Sequence, residues 1–411
     1  MTAVASPPLL LPPLRPTLAS TNSAPPLRAL ELGLAWFPEK PGGLDRYFGE
    51  LNRHLPEAGV ITRGYVMGSR RVEAESGGIV RAAAESTDRL WKRWKAMRNC
   101  VSHERATTHY DVVASHHALY TCPVLSLIKG MPLVVHFHGP YAAESSTEDA
   151  RWIANSVKHM VERTVYCRAV RCITLSKAFA DILHESYGVD RDRIRIIPGA
   201  VEAARFDPIE TRLQARQKLG WPTDRHIAFA ARRLYRRMGL ENLIESVKTV
   251  RQRVPDVLVM IAGTGWMASQ LKQQIASAGL ENHVRLLGFV SEAELPLAYR
   301  AADLTVVPTV SLEGFGLTTV ESMAAGTPPI VTPVGGSPEV VGGLSPDLIV
   351  PDWTPAALAA AVTAAFRGDL KLPTSAQCQA FAREHFDWSR VAIKVRAVYE
   401  QAIHASQPEA A

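Results

Sequence analysis

The chain has 411 residues, of which 47% are apolar and 21% charged, with five cysteines and a formal net charge of +6. That length exceeds one ordinary hydrophobic core and sets two domains as the expectation, while the composition excludes a disordered or fibrous protein. An odd cysteine count with no Cys-x-x-Cys pair argues against a disulfide framework or a zinc site, and no apolar run reaches the roughly 18 residues of a membrane-spanning helix.

Residues 1–26, rich in Pro, Ser and Thr, read as a disordered leader, because prolines interrupt Leu9-Leu10-Leu11 and no basic segment precedes it. Leu27 to Phe37 reads as a buried first strand, broken by Pro38 to Gly43 before a helix from about Leu44 to Pro56. Gly42 and Gly43 lie between a first strand and a first helix, where an α/β domain receives anions, although glycines also make any tight turn. Residues 60–67 are the next strand.

A helix is expected over about Arg81 to Arg105. In it Trp91, Trp94, Met97 and Val101 recur at helical spacing, with Lys92, Arg93 and Lys95 off that stripe. Such a stripe is either a core face with a solvated basic back or, over 89–101, an interfacial helix on an anionic membrane. The second alternative implies a lipid-linked acceptor. Asp111 to His117 and Pro132 to Phe137 are further strands, the latter running into His136-Phe137-His138-Gly139-Pro140. A helix (149–168), a strand (170–176), a helix to Tyr187 and a strand (194–199) complete the half.

The boundary falls near residue 207, followed by a polar linker. Strand 227–231 leads into Arg232-Arg233-Leu234-Tyr235-Arg236-Arg237-Met238-Gly239, where guanidinium groups could bind a diphosphate bidentately. Strand 257–262 leads into Gly263-Thr264-Gly265-Trp266-Met267-Ala268, a dinucleotide-type fingerprint. The following strand, 284–288, lacks the acidic residue that a nicotinamide site needs, so an oxidoreductase is disfavoured and Gly263 lines a nucleotide pocket or turns the chain. Strand 304–308 precedes Ser311-Leu312-Glu313-Gly314-Phe315-Gly316-Leu317 and a helix carrying Glu321, and 328–333 is a last strand before Gly335-Gly336. Regular strand and helix alternation indicates two doubly wound parallel-sheet α/β domains, Rossmann-like and facing a cleft. Ligands are expected beyond the carboxyl ends of the strands.

Glu313, seven residues and then Glu321, with Gly314-Phe315-Gly316-Leu317 inside and Ala324-Ala325-Gly326-Thr327-Pro328 after, resembles the signature of retaining nucleotide-sugar glycosyltransferases of family 4. These enzymes have the GT-B fold. Pro41-Gly42-Gly43, His138-Gly139-Pro140 and Val201 to Phe206 are similar to further segments of that family. The resemblance implies an acceptor-side domain over 27–206, a donor domain over 207–387 and a C-terminal helix, 388–405, crossing back onto the first. It implies a nucleotide-sugar donor, a hydroxyl acceptor (glycan, lipid-linked or small-molecule), no cofactor, no metal and no nucleic acid, in the cytoplasm or peripherally on the inner face of a membrane.

Under that resemblance His138 lies beside the transferred sugar, Glu313 holds sugar hydroxyls, and the amides of Gly314, Phe315, Gly316 and Leu317 meet sugar or phosphate. Glu321 binds the ribose diol, since an ionised carboxylate accepts two hydrogen bonds. Gly42, Gly43, Gly263 and Arg233 complete the donor site. The family's usual lysine is Met238 here, and Arg237 is the candidate substitute. With no Asp-x-Asp of the metal-dependent kind, arginines and helix amides must stabilise the leaving diphosphate. A front-face mechanism is the expectation. A nucleotide-sugar 2-epimerase and a catalytically inactive binding module are the alternatives.

Overall fold

The computed structural model describes residues 26–40, 42–141 and 152–407. The expected leader, apart from Pro26, and Pro41 lie outside the described residues. The first domain holds strands β1 (Leu27–Ala35), β2 (Val60–Met67), β3 (Val80–Ala84), β4 (Val112–Ser115), β5 (Leu133–Phe137), β6 (Arg171–Thr174) and β7 (Ile194–Ile196). They form one sheet in the order β3-β2-β1-β4-β5-β6-β7, every neighbouring pair parallel. The second holds β8 (Ile227–Ala231), β9 (Leu258–Ala262), β10 (Val284–Gly288), β11 (Leu304–Val307) and β12 (Pro329–Val331), ordered β10-β9-β8-β11-β12 and again parallel.

Both sheets are covered on both faces, which is why their strands read as near-continuous apolar runs. In β8 the side chains of Ile227 and Phe229 enter one core while those of Ala228 and Ala230 enter the other. β9 divides the same way, Leu258 and Met260 against Val259 and Ile261. The helix Trp388–Ser406 lies on the first sheet, where Trp388, Val391, Val395 and Tyr399 share a core with Ala29, Val112 and Val134.

One expected element is wrong in kind. The helix read over 81–105 begins only at Leu90, and Val80–Ala84 is the edge strand β3. Val80 is buried on β2's flank, and the polar run from Glu85 to Asp88 separates two elements that the helical stripe had merged. In the helix Leu90–Thr107, Met97 and Val101 are fully buried, Trp94 partly so, and Trp91 is 63% exposed. From Trp94 to Val101 the stripe is a core face, and Trp91 lies outside it.

The two domains meet through their cleft edges. Arg46, on the helix Gly43–His54, binds Glu321 of the helix Leu317–Ala324 at 2.6 Å and also pairs with Glu292. Glu339 accepts from the backbone amides of Lys177 (2.8 Å) and Ala178 (3.1 Å), so a second-domain carboxylate caps the first-domain helix Lys177–Tyr187. Phe315 is packed so closely on Gly199 that a β-carbon there would lie 2.5 Å from its ring.

Two predictions follow from this packing. A β-carbon at Gly265 would lie 2.3 Å from the Leu234 carbonyl oxygen, whereas one at Gly279, with φ of +59°, would meet nothing. Gly265→Ala should cost about 3 kcal/mol or more by urea unfolding, and Gly279→Ala only the roughly 1–2 kcal/mol of its left-handed backbone. Equal costs would contradict the close approach. A double-mutant cycle of Arg46→Met and Glu321→Gln should return a coupling of about 1–3 kcal/mol, above the 0–1 of a surface pair. Additive losses would show that the ion pair does not hold the domains together.

Candidate functional site

Glu313 sits in the loop beyond β11, 9% exposed. Its carboxylate accepts from Arg232 and from the Thr309 hydroxyl at 3.0 Å. Burial alone would push this carboxyl up, but Arg232, with Arg237 and Thr309, outweighs it and holds Glu313 below the usual carboxylate range. The backbone is clamped as well. Gly336 donates to the Glu313 carbonyl at 2.8 Å, and a β-carbon on Gly335 would lie 1.9 Å from that oxygen. Leu312, just before, has a φ of +54°, unusual for a branched residue, and Arg237 donates to its carbonyl at 2.8 Å. Glu313 is thus an anion fixed in side chain and backbone.

Gly316, with φ of +82°, begins the helix Leu317–Ala324. Around it the hydroxyls of Thr319 and Ser337 are fully buried with no hydrogen-bond partner among the described residues. Buried polar groups are normally satisfied, so unpartnered hydroxyls at a helix N-terminus suit an incoming anion. On the next turn Glu321 is 4% exposed, one oxygen on Arg46 and the other accepting from Tyr299 at 2.9 Å. Arg205 joins the chain by pairing with Glu292. Arg46, Tyr47, Leu317, Glu321 and Trp388 line a small cavity between the domains.

Facing these elements, the first domain contributes imidazoles from the ends of β4 and β5. His116 lies 2.8 Å from Glu31, a carboxylate of β1 that is fully buried, and 3.2 Å from His138. His136 contacts the Tyr399 hydroxyl at 2.9 Å, and that hydroxyl donates to Glu31 at 2.8 Å. Glu31, His116 and His136 bring three potential metal-ligand atoms within 4.8 Å of one another. The two rings, however, are stacked with centroids 4.1 Å apart and planes 16° apart, so their nitrogen lone pairs do not converge on one point. The group is a hydrogen-bond network. Burial, with His116 and His117 adjacent, holds His138 well below the ordinary histidine range, and burial with Lys40 takes His117 down to about 4.

Other sequence-predicted residues are packed or hydrogen-bonded in place. Phe315, whose backbone amide is the part expected at the donor, has its ring in the core, 3% exposed and edge-on to Phe386 at 5.5 Å, and keeps its backbone at the loop. Gly314 faces the Phe179 ring. Gly263, with φ of +141°, lets the chain pass the Arg232 carbonyl, where a β-carbon would lie 1.9 Å away. It turns the chain. Arg237 is spent on Leu312, whereas Arg233 is exposed, stacks over Tyr235 at 5.2 Å and is close enough to act on Asp45 of the first domain. Met238 is 5% exposed in an aliphatic core. Gly42 precedes the first helix and Gly43 faces Leu317. Sequence reasoning did not single out Arg46, Glu292, Tyr299, Glu31, His116 or Tyr399, and placed Arg232 only in a cluster facing a diphosphate, whereas it pairs with Glu313. A Glu at position 31, inside the apolar run 29–35 of the first strand, was the available signal.

Residues 41–205 match the profile described as Glycosyltransferase Family 4, and residues 211–385 that of Glycosyl transferases group 1. Mannosylfructose-phosphate synthase of Agrobacterium fabrum is 34% identical over 185 residues, which are 43% of this chain and only 40% of that protein. D-inositol 3-phosphate glycosyltransferase of Salinispora arenicola is 31% identical over 327 residues, 74% of this chain and 72% of that one. Among solved structures, Anabaena HepE in complex with UDP and glucose superposes with a TM-score of 0.75 at 20% identity, covering 91% of this chain and all of that one. The two parallel-sheet domains, the paired carboxylates and these matches agree: the chain belongs to glycosyltransferase family 4, the glycosyl transferases group 1, and has the GT-B fold.

Proposed function

We propose that the chain transfers a sugar from a nucleoside diphosphate sugar to a hydroxyl acceptor with retention at the anomeric carbon. The observation that carries this reading is the pair Glu313 and Glu321, each buried and each held by an arginine, on either side of a helix N-terminus with two unpartnered hydroxyls. Ribose hydroxyls suit Glu321, whose oxygens each keep a lone pair beyond Arg46 and Tyr299. Phosphate oxygens suit the amides of Gly316 and Leu317 with the Thr319 and Ser337 hydroxyls. Glu313 accepts from sugar hydroxyls, and His138 approaches the same sugar from the other domain. HepE, of the same fold, binds UDP and glucose, which supports a nucleotide-sugar donor.

The chemistry asked of these groups is stabilisation of the leaving diphosphate. Arg233, exposed at the cleft, is the cation nearest that task, since Arg237 holds Leu312 and Met238 is core. Preorganised charge and amide dipoles at the leaving group are commonly the largest catalytic contribution. A front-face displacement fits a Glu313 committed to Arg232: the leaving phosphate takes the acceptor's proton, and no carboxylate need act as nucleophile. Among the described residues no helix is long and apolar enough to cross a membrane. Contact with an anionic surface would rest on the exposed Leu90 and Trp91 beside the exposed cations Arg89, Lys92, Lys95 and Arg98.

With a panel of nucleoside diphosphate sugars, diphosphate release that requires an acceptor is the expected result; an epimerised donor, or binding with no turnover, would overturn it. Glu321→Ala should raise the donor KM about tenfold or more, the loss expected for hydrogen bonds to a charged group. His138→Ala should lower kcat about tenfold to a hundredfold with donor KM nearly unchanged. Unchanged kinetics in both variants would remove these two residues from the site.

The buried histidines also set an acid limit. A folded-state value depressed from 6.5 to about 4 means that His117 contributes stability fully present above pH 6.5 and lost as pH falls through about 4, and His136 and His138 act in the same direction. Asp45, pushed up to about 6 chiefly by burial, opposes them and takes stability away as pH rises from 3.8 to about 6. Three groups against one predict a melting temperature that falls between pH 6.5 and 4; a flat profile would contradict the neutral cluster.

A further inference from the structure

With Glu31 ionised and each imidazole carrying one hydrogen, the polar chain inside the first domain has a single assignment of its hydrogens. Tyr399 donates its hydroxyl hydrogen to Glu31, so its oxygen must accept from His136 at Nε2. Nδ1 of His136 then accepts, at 3.5 Å, from the hydroxyl of Tyr47. The other oxygen of Glu31 faces Nε2 of His116 at 2.8 Å, and a carboxylate there accepts, so the His116 hydrogen is on Nε2. A neutral imidazole carries one hydrogen, which leaves Nδ1 of His116 a bare acceptor. It lies 3.2 Å from Nε2 of His138, which therefore carries the hydrogen.

Burial holds the Tyr399 phenol protonated and His136 and His138 neutral, in keeping with this chain of single hydrogens. The edge contact of His138 with Tyr47, ring centroids 4.8 Å apart, and its near-parallel placement beside His116, centroids 5.4 Å and planes 21° apart, fix the ring's orientation. His138 is half-buried, and among the described residues its ring makes no other hydrogen bond. Its second nitrogen, Nδ1, points away from His116.

We infer that Glu31 and His116 are positioning residues that hold His138 in the Nε2–H tautomer, so that Nδ1 offers the cleft a lone pair and selects a sugar whose group at that place donates a hydrogen bond. This rests on the reading of His138 as the residue beside the sugar. It narrows the donor to sugars with a free hydroxyl there and disfavours an ether, a carboxylate or a fluorine, which cannot donate. Loss of a donor against a buried acceptor discriminates strongly, because the site's own polar atom is left unpaired.

The test begins on the free full-length chain. In the protein labelled with 15N at histidine, long-range 1H–15N correlation at neutral pH should show His138, assigned by its disappearance in His138→Gln, protonated at Nε2 and bare at Nδ1. A wild-type ring protonated at Nδ1, or at both nitrogens, overturns the inference. His116→Phe removes the acceptor and should give a tautomer mixture, with kcat lower by about tenfold and donor KM within about threefold. His116→Asn, whose Oδ1 sits near the place of Nδ1, should restore both the tautomer and most of kcat. Should His116→Asn be as slow as His116→Phe while His138 keeps the wild-type tautomer, the relay has no positioning role.

For the substrate arm, donors in which each remote hydroxyl is replaced in turn by fluorine are compared by binding. One position should lose about tenfold in affinity in the wild type and little in His138→Ala. Equal losses in both proteins overturn the specificity claim. If no nucleoside diphosphate sugar binds at all, the donor-site reading fails, and the tautomer found in the free chain is judged separately.

Discussion

A parallel sheet sends the carboxyl end of every strand the same way, and the cleft follows from that constraint. With both sheets parallel throughout, the loops that can carry polar groups without breaking a core all open on one edge of each domain. The helices that leave those loops present their N-termini there. Gly43 at the head of one first-domain helix therefore faces Leu317 at the head of a second-domain helix, and two positive dipole ends converge on one space. Carboxylates at that junction are favoured by the field and are paired by Arg46 and Arg232.

The two ion pairs differ in what they connect. Arg232 and Glu313 both belong to the second domain, so their pairing survives any domain motion and keeps Glu313 charged. Arg46 and Glu321 belong to different domains, and their pairing exists only while the domains are together. Buried charges are expensive unless paired, and separation of the domains exposes both to water, where each is stable alone. The contact therefore specifies the closed arrangement more than it adds to either domain's stability. Glu339, capping a helix of the opposite domain, acts at a second point of the same edge.

Much of the fold was legible because two periodicities are strong. Buried strands such as Leu258–Ala262 are continuous apolar runs, and the helices between them carry glycine stops. β3 was not legible: its five residues adjoin a helical stripe, and an edge strand carries only half the apolar signal of a central one. In the candidate site, the residues that sequence could single out are those in recognisable short patterns, among them Glu313, Glu321 and His138. Those missed act over long sequence separations. Tyr399 reaches Glu31 across 368 positions and Arg46 reaches Glu321 across 275, and no local pattern encodes such a meeting. That Arg232 turns inward to Glu313 while Arg233 stays exposed was not legible for a related reason, since which of two adjacent residues after a strand turns inward depends on the register of β8 with its neighbours.

The closed pairing also bears on how a donor enters. Glu321 uses one oxygen for Arg46 and the other for Tyr299, yet each oxygen can accept a second hydrogen bond. A ribose diol can thus bind without stripping Glu321 of its counter-charge, which would otherwise leave a buried carboxylate uncompensated and Arg46 with Glu292 alone. Space is the constraint that remains, because the cavity beside Glu321 is small and lined from both domains. Under the proposed donor site, entry would part Arg46 from Glu321 for as long as the nucleotide takes to pass, and closure would restore the pair around it. Donor binding and domain closure would then be coupled through the Arg46 guanidinium: whatever favours the closed pair would raise the barrier to entry and exit, and slow release of the diphosphate product by the same interaction.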